Sequence, residues 1–267
     1  MNKTGFFIAV ALLLAVGLTF GLYPELDLNI SRQFYDEATK FFPLKSSAQA
    51  EFIRTAAMWI AWGIAAPAII ALVVKLLRPH RRIMMAGRAM AFLLITMIFA
   101  AGIITNFTFK TFWGRPRPVA VSEFNGQWAF KPWWDPRGEC PINCSFISGE
   151  AATAFWTYAP AALTPPQWRP LAYAGATLFG MATGGLRIAF GGHFFSDVVI
   201  AGLVTFLVIW LVHGLIYRWP ATRWSDDGVD AALTRLAWPP YAWLRRRFGR
   251  RPEAPPSRAT TPADTTV

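Results

Sequence analysis

Long apolar runs separated by short polar stretches organise the first 217 residues of this chain. Six runs stand out, at about 5–23, 54–77, 89–109, 148–163, 170–186 and 196–217. Each approaches the roughly 20 residues that a helix needs to cross a bilayer. In hydrocarbon every backbone N–H and C=O must be satisfied within the segment, so the runs are expected as helices. The two shorter ones, 148–163 and 170–186, are read as spans because only the brief polar turn 164–169 separates them. The pattern predicts an all-α fold. Residues 1–217 form a six-transmembrane-helix bundle, and residues 218–267 form a basic cytoplasmic tail.

The first run has the positive start of a secretory signal, Lys3, but Gly21-Leu22-Tyr23-Pro24 lacks a small-x-small cleavage site. It reads as a retained anchor. The tail mixes Trp, Leu and Arg through 231–248, as an interfacial segment does. Pro239-Pro240 is expected to interrupt any helix there. From Pro252 onward the Pro, Ala and Thr composition predicts disorder.

Composition agrees with a membrane chain. Of 267 residues, 54% are hydrophobic, and the mean hydropathy is +0.34. An ordinary soluble domain has an apolar share of about 45–50%. The net charge of +11 resembles a nucleic-acid signal until its placement is considered. Nine arginines lie after Tyr217, and Arg78, Arg81, Arg82 and Arg88 crowd the loop between the second and third runs. With a cytoplasmic N-terminus, both stretches fall inside, as the positive-inside rule requires. Such a patch lies against the membrane and can attract anionic headgroups. That placement argues against a nucleic-acid partner.

The same topology puts the loop between the third and fourth runs outside. Its two cysteines, Cys140 and Cys144, then sit where disulfides persist, and a local bridge between them is expected. Two free thiols are the other reading. A zinc site is not expected, because two cysteines without a nearby histidine do not supply four ligands. Trp128, Trp133 and Trp134 in this loop read as headgroup-level anchors.

Three polar clusters interrupt the apolar chain. They are Lys110-Thr-Phe-Trp-Gly-Arg115-Pro-Arg117-Pro118, Ser145-Phe-Ile-Ser148-Gly149-Glu150 and Arg187-Ile-Ala-Phe-Gly-Gly-His193-Phe-Phe-Ser-Asp197. Counting crossings puts all three on the outer side. Lys110, Arg117 and Arg187 can neutralise a phosphate, the arginines through a planar fork. Ser148 and Gly149 lie where a helix begins, and its free N–H groups favour an anion. His193 and Asp197 are four apart, on one face if the sixth helix starts there. Asp197 can then accept one imidazole proton and leave the other nitrogen as a nucleophile. Taken singly, each feature has a plainer reading as an interfacial anchor, a helix cap or a structural hydrogen bond. Their convergence on one face of a membrane bundle favours chemistry.

The chain here resembles the type-2 phosphatidic acid phosphatases, which share their site with vanadium haloperoxidases. The family pattern is Lys-x6-Arg-Pro, then Pro-Ser-Gly-His, then Ser-Arg-x5-His-x3-Asp. Lys110-x6-Arg117-Pro118 matches in full, and so does Arg187-x5-His193-x3-Asp197, with Leu186 in place of the serine. The second motif departs, reading Ile147-Ser148-Gly149-Glu150. The resemblance implies that Lys110, Arg117, Ser148, Gly149 and Arg187 bind phosphate. It implies that His193 forms a phosphohistidine and that Asp197 orients His193. The family's second-motif histidine protonates the leaving oxygen. No histidine replaces it here, since His80 and His213 fall towards the cytoplasmic side.

Glu150 is the candidate for that proton. Burial and a neighbouring phosphate favour its acid form, while Lys110 and the arginines favour its carboxylate. The scheme needs no metal or other cofactor, because the cationic side chains neutralise the phosphate charge.

The substrate is expected to be a lipid phosphate in the outer leaflet. Lipid A phosphates, undecaprenyl pyrophosphate, phosphatidylglycerophosphate and phosphatidic acid are the candidates. The segment Asp27-Leu-Asn-Ile-Ser31-Arg-Gln-Phe-Tyr35-Asp36 is similar to the equivalent stretch of bacterial lipid A phosphatases in this family. That likeness favours lipid A, a bacterial inner membrane and a site facing the periplasm. Two alternatives remain: a lipid phosphotransferase using the same intermediate, and a catalytically impaired lipid-binding membrane protein.

Overall fold

The computed structural model describes residues 1–249. The tail from Pro252, expected to be disordered, lies outside the described residues. Among the described residues the chain is helical, and only isolated bridges pair Asp36 with Phe41 and Val121 with Trp128. The helices are α1 Lys3–Leu22, α2 Glu25–Arg32, α3 Ala48–Leu77, α4 Gly87–Phe112, α5 Gly149–Phe155, α6 Tyr158–Leu163, α7 Arg169–Ala189, α8 Phe195–Arg218 and α9 Asp226–Arg247.

Four of these helices, α1, α3, α4 and α8, are long and apolar enough to cross a membrane. Phe7 and Leu18 on α1, Trp59 on α3 and Phe107 on α4 are exposed, as lipid-facing side chains are. The fourth and fifth apolar runs take a different form. The 148–163 run breaks into α5 and α6, which flank Trp156 and Thr157. The 170–186 run lies in the 21-residue α7, which carries Arg169 and Arg187 at its ends. Charge at the ends and glycines within make α7 less apolar than α1, α3, α4 and α8.

The described residues divide into two compact units. The first comprises 1–66 and 92–223. Its core packs Phe146 and Ile147 of the loop between α4 and α5 against Ala151, Ala152 and Phe155 of α5, Ile188 of α7, and Val198, Ile200 and Ala201 of α8. The middle of α4, Met97–Phe109, widens to π-helical turns. There Thr105 and Asn106 donate to the carbonyls of Ala100 and Ala101, five residues back. The indole of Trp133 donates to the Gly17 carbonyl of α1 and stacks on Phe146. It therefore fastens the loop between α4 and α5 to α1.

The second unit comprises 67–91 and the chain from 224. Lys75 is buried there and donates to Asp230 and to the carbonyls of Pro79 and Arg81. The N-terminal turn of α9 takes the Arg88 backbone N–H on Asp226, and Asp230 takes that of Ile83. Helix α9 runs unbroken through Pro239 and Pro240, contrary to the sequence expectation of an interruption. Proline's fixed φ fits a helix. Its cost is a lost hydrogen bond and a clash, about 3 kcal/mol, and the remaining turns of this 22-residue helix carry the chain through.

In the loop that follows α4, Arg115 is fully buried. Its guanidinium donates to Asp27 of α2 at 2.7 Å, to Ser196 of α8 at 2.9 Å and to Asp197, and Nε donates to the Lys131 carbonyl at 2.9 Å. Asp27 in turn accepts from the backbone N–H and hydroxyl of Ser196. The guanidinium also lies 4.3 Å from the Phe194 ring centroid. One cation thus joins α2, the loop between α4 and α5, and the start of α8. Arg115→Met leaves two buried carboxylates unpaired, and a stability loss of about 3–5 kcal/mol is expected. Arg115→Lys keeps the charge but not the fork, so its thermal midpoint in detergent should fall between those of the parent and Arg115→Met.

Candidate active site

The three polar clusters meet through backbone hydrogen bonds. The Ser145 N–H donates to the Arg115 carbonyl at 2.8 Å, joining the second cluster to the first. Val119 donates to Gly191 at 3.0 Å, joining the first to the third, and Ser148 donates to Asp197 at 3.2 Å, joining the second to the third. Main-chain contacts of this kind fix side-chain origins independently of rotamer choice.

Lys110 closes the last turn of α4. Its ammonium donates to the Asn143 side-chain oxygen at 3.2 Å. Arg117 reaches the same oxygen at 2.7 Å and the Asn143 carbonyl through Nη2 at 2.8 Å and Nε at 3.1 Å. Asn143 lies in the left-handed region at φ 55°, within the loop that the Cys140–Cys144 disulfide closes. Two phosphate-binding candidates thus converge on one oxygen.

Ser148 caps α5 by accepting the Ala151 N–H, and Gly149 opens the helix. A Cβ on Gly149 would lie 2.7 Å from the Asn106 side-chain oxygen and 3.2 Å from Lys110 Nζ. Glycine is what lets the ammonium approach this helix start. Arg187, at the end of α7, is buried. A Cβ on Gly192 would lie 2.5 Å from its Nη2, so that glycine makes room for the guanidinium. Arg187 Nε has no hydrogen-bond partner among the described residues.

His193 is 1% exposed. Its Nδ1 lies 2.7 Å from the Ser145 carbonyl. A carbonyl only accepts, so Nδ1 carries the proton and Nε2 keeps its lone pair. Burial, then the charges of Lys110, Arg187 and Arg117, hold the imidazole pKa well below the usual histidine value. The ring is therefore neutral at pH 7, as a nucleophile must be.

The expectation of a direct Asp197–imidazole hydrogen bond is corrected. The Asp197 carboxylate is 3.9 Å from His193 Nδ1. It instead accepts from Arg115, the Ser145 hydroxyl and the Phe194 N–H. Those partners flank His193 and include the residue whose carbonyl orients it. Asp197 therefore acts on the imidazole through Ser145 and Phe194. The Arg115 and Ser145 contacts take up the carboxylate at a spacing that reads, in sequence, as a direct pair.

Glu150 lies on the first turn of α5. Both of its oxygens accept from Arg54 Nε, at 3.1 and 2.9 Å, and Oε1 accepts from Arg54 Nη2 at 2.6 Å. Arg187 Nε is 3.7 Å from Oε2. Arg54 also donates to Glu51 at 2.6 Å.

Sequence reasoning singled out Lys110, Arg117, Ser148, Gly149, Glu150, Arg187, His193 and Asp197, and the fold gathers them at one end of the first unit. It passed over Arg54, Arg115, Asn143 and Ser145 as site members. Arg115 and Ser145 sit inside the polar clusters, so position was a usable signal for them. Asn143 carried only its place between two cysteines, and Arg54 only its place at the outer end of an apolar run.

Residues 90–223 match the PAP2 superfamily. A lipid A 4'-phosphatase of Francisella tularensis subsp. novicida (strain U112) is 32% identical over 200 residues, covering 74% of this chain and 90% of that protein. A lipid A 4'-phosphatase of Rhizobium leguminosarum is 30% identical over 202 residues, covering 71% of this chain and 86% of that one. That of Rhizobium etli (strain ATCC 51251 / DSM 11541 / JCM 21823 / NBRC 15573 / CFN 42) is 28% identical over 205 residues, with 71% and 78% covered. No solved structure matches the chain. The matched region holds the three clusters, and with these relatives aligned over most of their length, the chain belongs to the PAP2 superfamily.

Proposed function

We propose that this chain is a membrane lipid phosphatase that removes a phosphate from lipid A at the periplasmic face of a bacterial inner membrane. One observation carries the chemistry: a buried, neutral imidazole, His193, whose Nδ1–H is spent on the Ser145 carbonyl and which lies in the field of Lys110, Arg117 and Arg187. The lipid A assignment rests on the three relatives named above. The periplasmic orientation rests on the basic stretches that flank the opposite ends of the apolar runs. In this reading the α5–α6 segment and α7 complete a six-span bundle.

Lys110, Arg117 and Arg187, with the start of α5 at Ser148 and Gly149, take the phosphate oxygens. The Nε2 lone pair attacks phosphorus, a P–N bond forms, and the P–O bond to the sugar breaks. Glu150, in its acid form, gives its proton to the leaving oxygen. Water then attacks the phosphohistidine, Glu150 accepts the water proton, and the P–N bond breaks to release inorganic phosphate. The cations lower the charge cost of both steps without a metal, so EDTA should leave turnover intact.

The first test is purified protein in detergent with a panel of lipid phosphates. Lipid A 4'-phosphate is expected to turn over fastest, with inorganic phosphate as the product. His193→Ala should lose on the order of a thousandfold or more in kcat. Transfer of label to a second lipid in place of phosphate release would assign a phosphotransferase.

A pH profile is the second. Loss of the Glu150 proton sets the alkaline limb of kcat/KM, and protonation of His193, which removes the nucleophile, sets the acid limb. The midpoint of the acid limb should lie below 6.5, the ordinary histidine value. Third, Glu150→Gln should slow lipid turnover on the order of a hundredfold or more, and Glu150→His should retain activity. Normal turnover by Glu150→Gln would refute the acid role.

A further inference from the structure

Arg54 approaches the site from α3, a helix that carries none of the sequence motifs. Its three contacts with Glu150 form a two-pronged ion pair, 32% and 21% exposed at the two side chains. A fork of this kind fixes the plane of a carboxylate as well as its position. Lys110 and Arg187 also act on Glu150 electrostatically, but Arg187 Nε stands 3.7 Å away and Lys110 donates to Asn143. Arg54 is the cation that holds Glu150 in place. Glu51, one helical turn earlier on α3, grips the opposite edge of the same guanidinium.

We propose that Arg54 is a positioning residue for Glu150, clamping its carboxylate beside the phosphate-binding cations until an incoming phosphate competes for the guanidinium. The inference rests on the reading of Glu150 as proton carrier. In the free site four cations, Arg54, Lys110, Arg117 and Arg187, face Glu150, and Glu51 balances Arg54 from outside. A phosphate monoester brings up to two negative charges to the same place. It is a stronger acceptor for a guanidinium than one carboxylate.

As Arg54 turns to the phosphate, Glu150 loses its counter-charge and gains an anionic neighbour. Both changes favour uptake of a solvent proton. That proton passes to the leaving oxygen as the P–O bond breaks. Glu51 keeps Arg54 within reach throughout, so the clamp re-forms when phosphate leaves. A histidine at position 150 is neutral or cationic and needs no such clamp, so Arg54 is tied to the glutamate in this chain's second motif.

The test exploits leaving-group chemistry. Arg54→Gln is compared with the parent on a lipid phosphate, whose alkoxide must be protonated, and on an aryl phosphate, whose phenolate leaves without a proton. Arg54→Gln is expected to lower kcat on the lipid about tenfold or more, with less than a third of that factor lost on the aryl ester. In a Glu150→His background the same substitution should cost less than twofold on the lipid. Equal losses on both substrates, no loss on either, or an unchanged cost in the Glu150→His background would overturn the proposal. The underlying acid reading falls separately, on normal lipid turnover by Glu150→Gln.

Discussion

Arg115 is the point on which the arrangement of the site depends. A guanidinium with no exposure to water is tolerable only if its donors and charge are answered, and Asp27, Asp197, Ser196 and the Lys131 carbonyl answer them. The same cation brings together segments far apart in the chain. Asp27 belongs to α2, Ser196 and Asp197 to α8, and Arg115 to the loop after α4. Because Asp197 also holds Ser145 and the Phe194 N–H, the buried charge cluster sets the position of both residues that frame His193. Orientation of His193, the nucleophile of the proposed reaction, is thus a consequence of a charge network one layer behind it.

A single field does two things in front of that network. Lys110, Arg117 and Arg187 create a positive potential that suits a phosphate, and the same potential opposes protonation of His193. In the proposed reaction, binding and nucleophile activation therefore reinforce one another. The cost is repulsion among cations crowded in a partly dry space. Asn143 relieves some of it by offering two oxygens to Lys110 and Arg117. Glu150 relieves more by pairing with Arg54. Each relief device offers oxygen acceptors to cations that the proposed reaction assigns to phosphate.

Much of this was legible from residue order. The spacings in Lys110-x6-Arg117 and Arg187-x5-His193-x3-Asp197 record local geometry, because the first lies on one helix end and its adjoining turn and the second on the short turn between the end of α7 and the start of α8. The substitution of Glu150 for histidine was visible too. What spacing could not give was the partner of each group. Asp197 sits four residues from His193 and reads, on spacing, as its direct partner, yet Arg115 and Ser145 compete for its oxygens and win on geometry. Arg54 is 96 residues from Glu150, and nothing local to either marks the pair. The prolines of α9 misled for the opposite reason: a local penalty was read as decisive where the rest of a long helix outweighs it.

Hydrophobic run length by itself determined that this is a helical membrane chain, since lipid leaves backbone groups no other partners. Polar clusters placed at the ends of those runs pointed to phosphate chemistry on one face. The tertiary structure alone decided which groups hold Asp197 and which cation pairs with Glu150. Those choices depend on contacts between side chains brought together from distant segments, where a difference of about one ångström separates a hydrogen bond from a near neighbour.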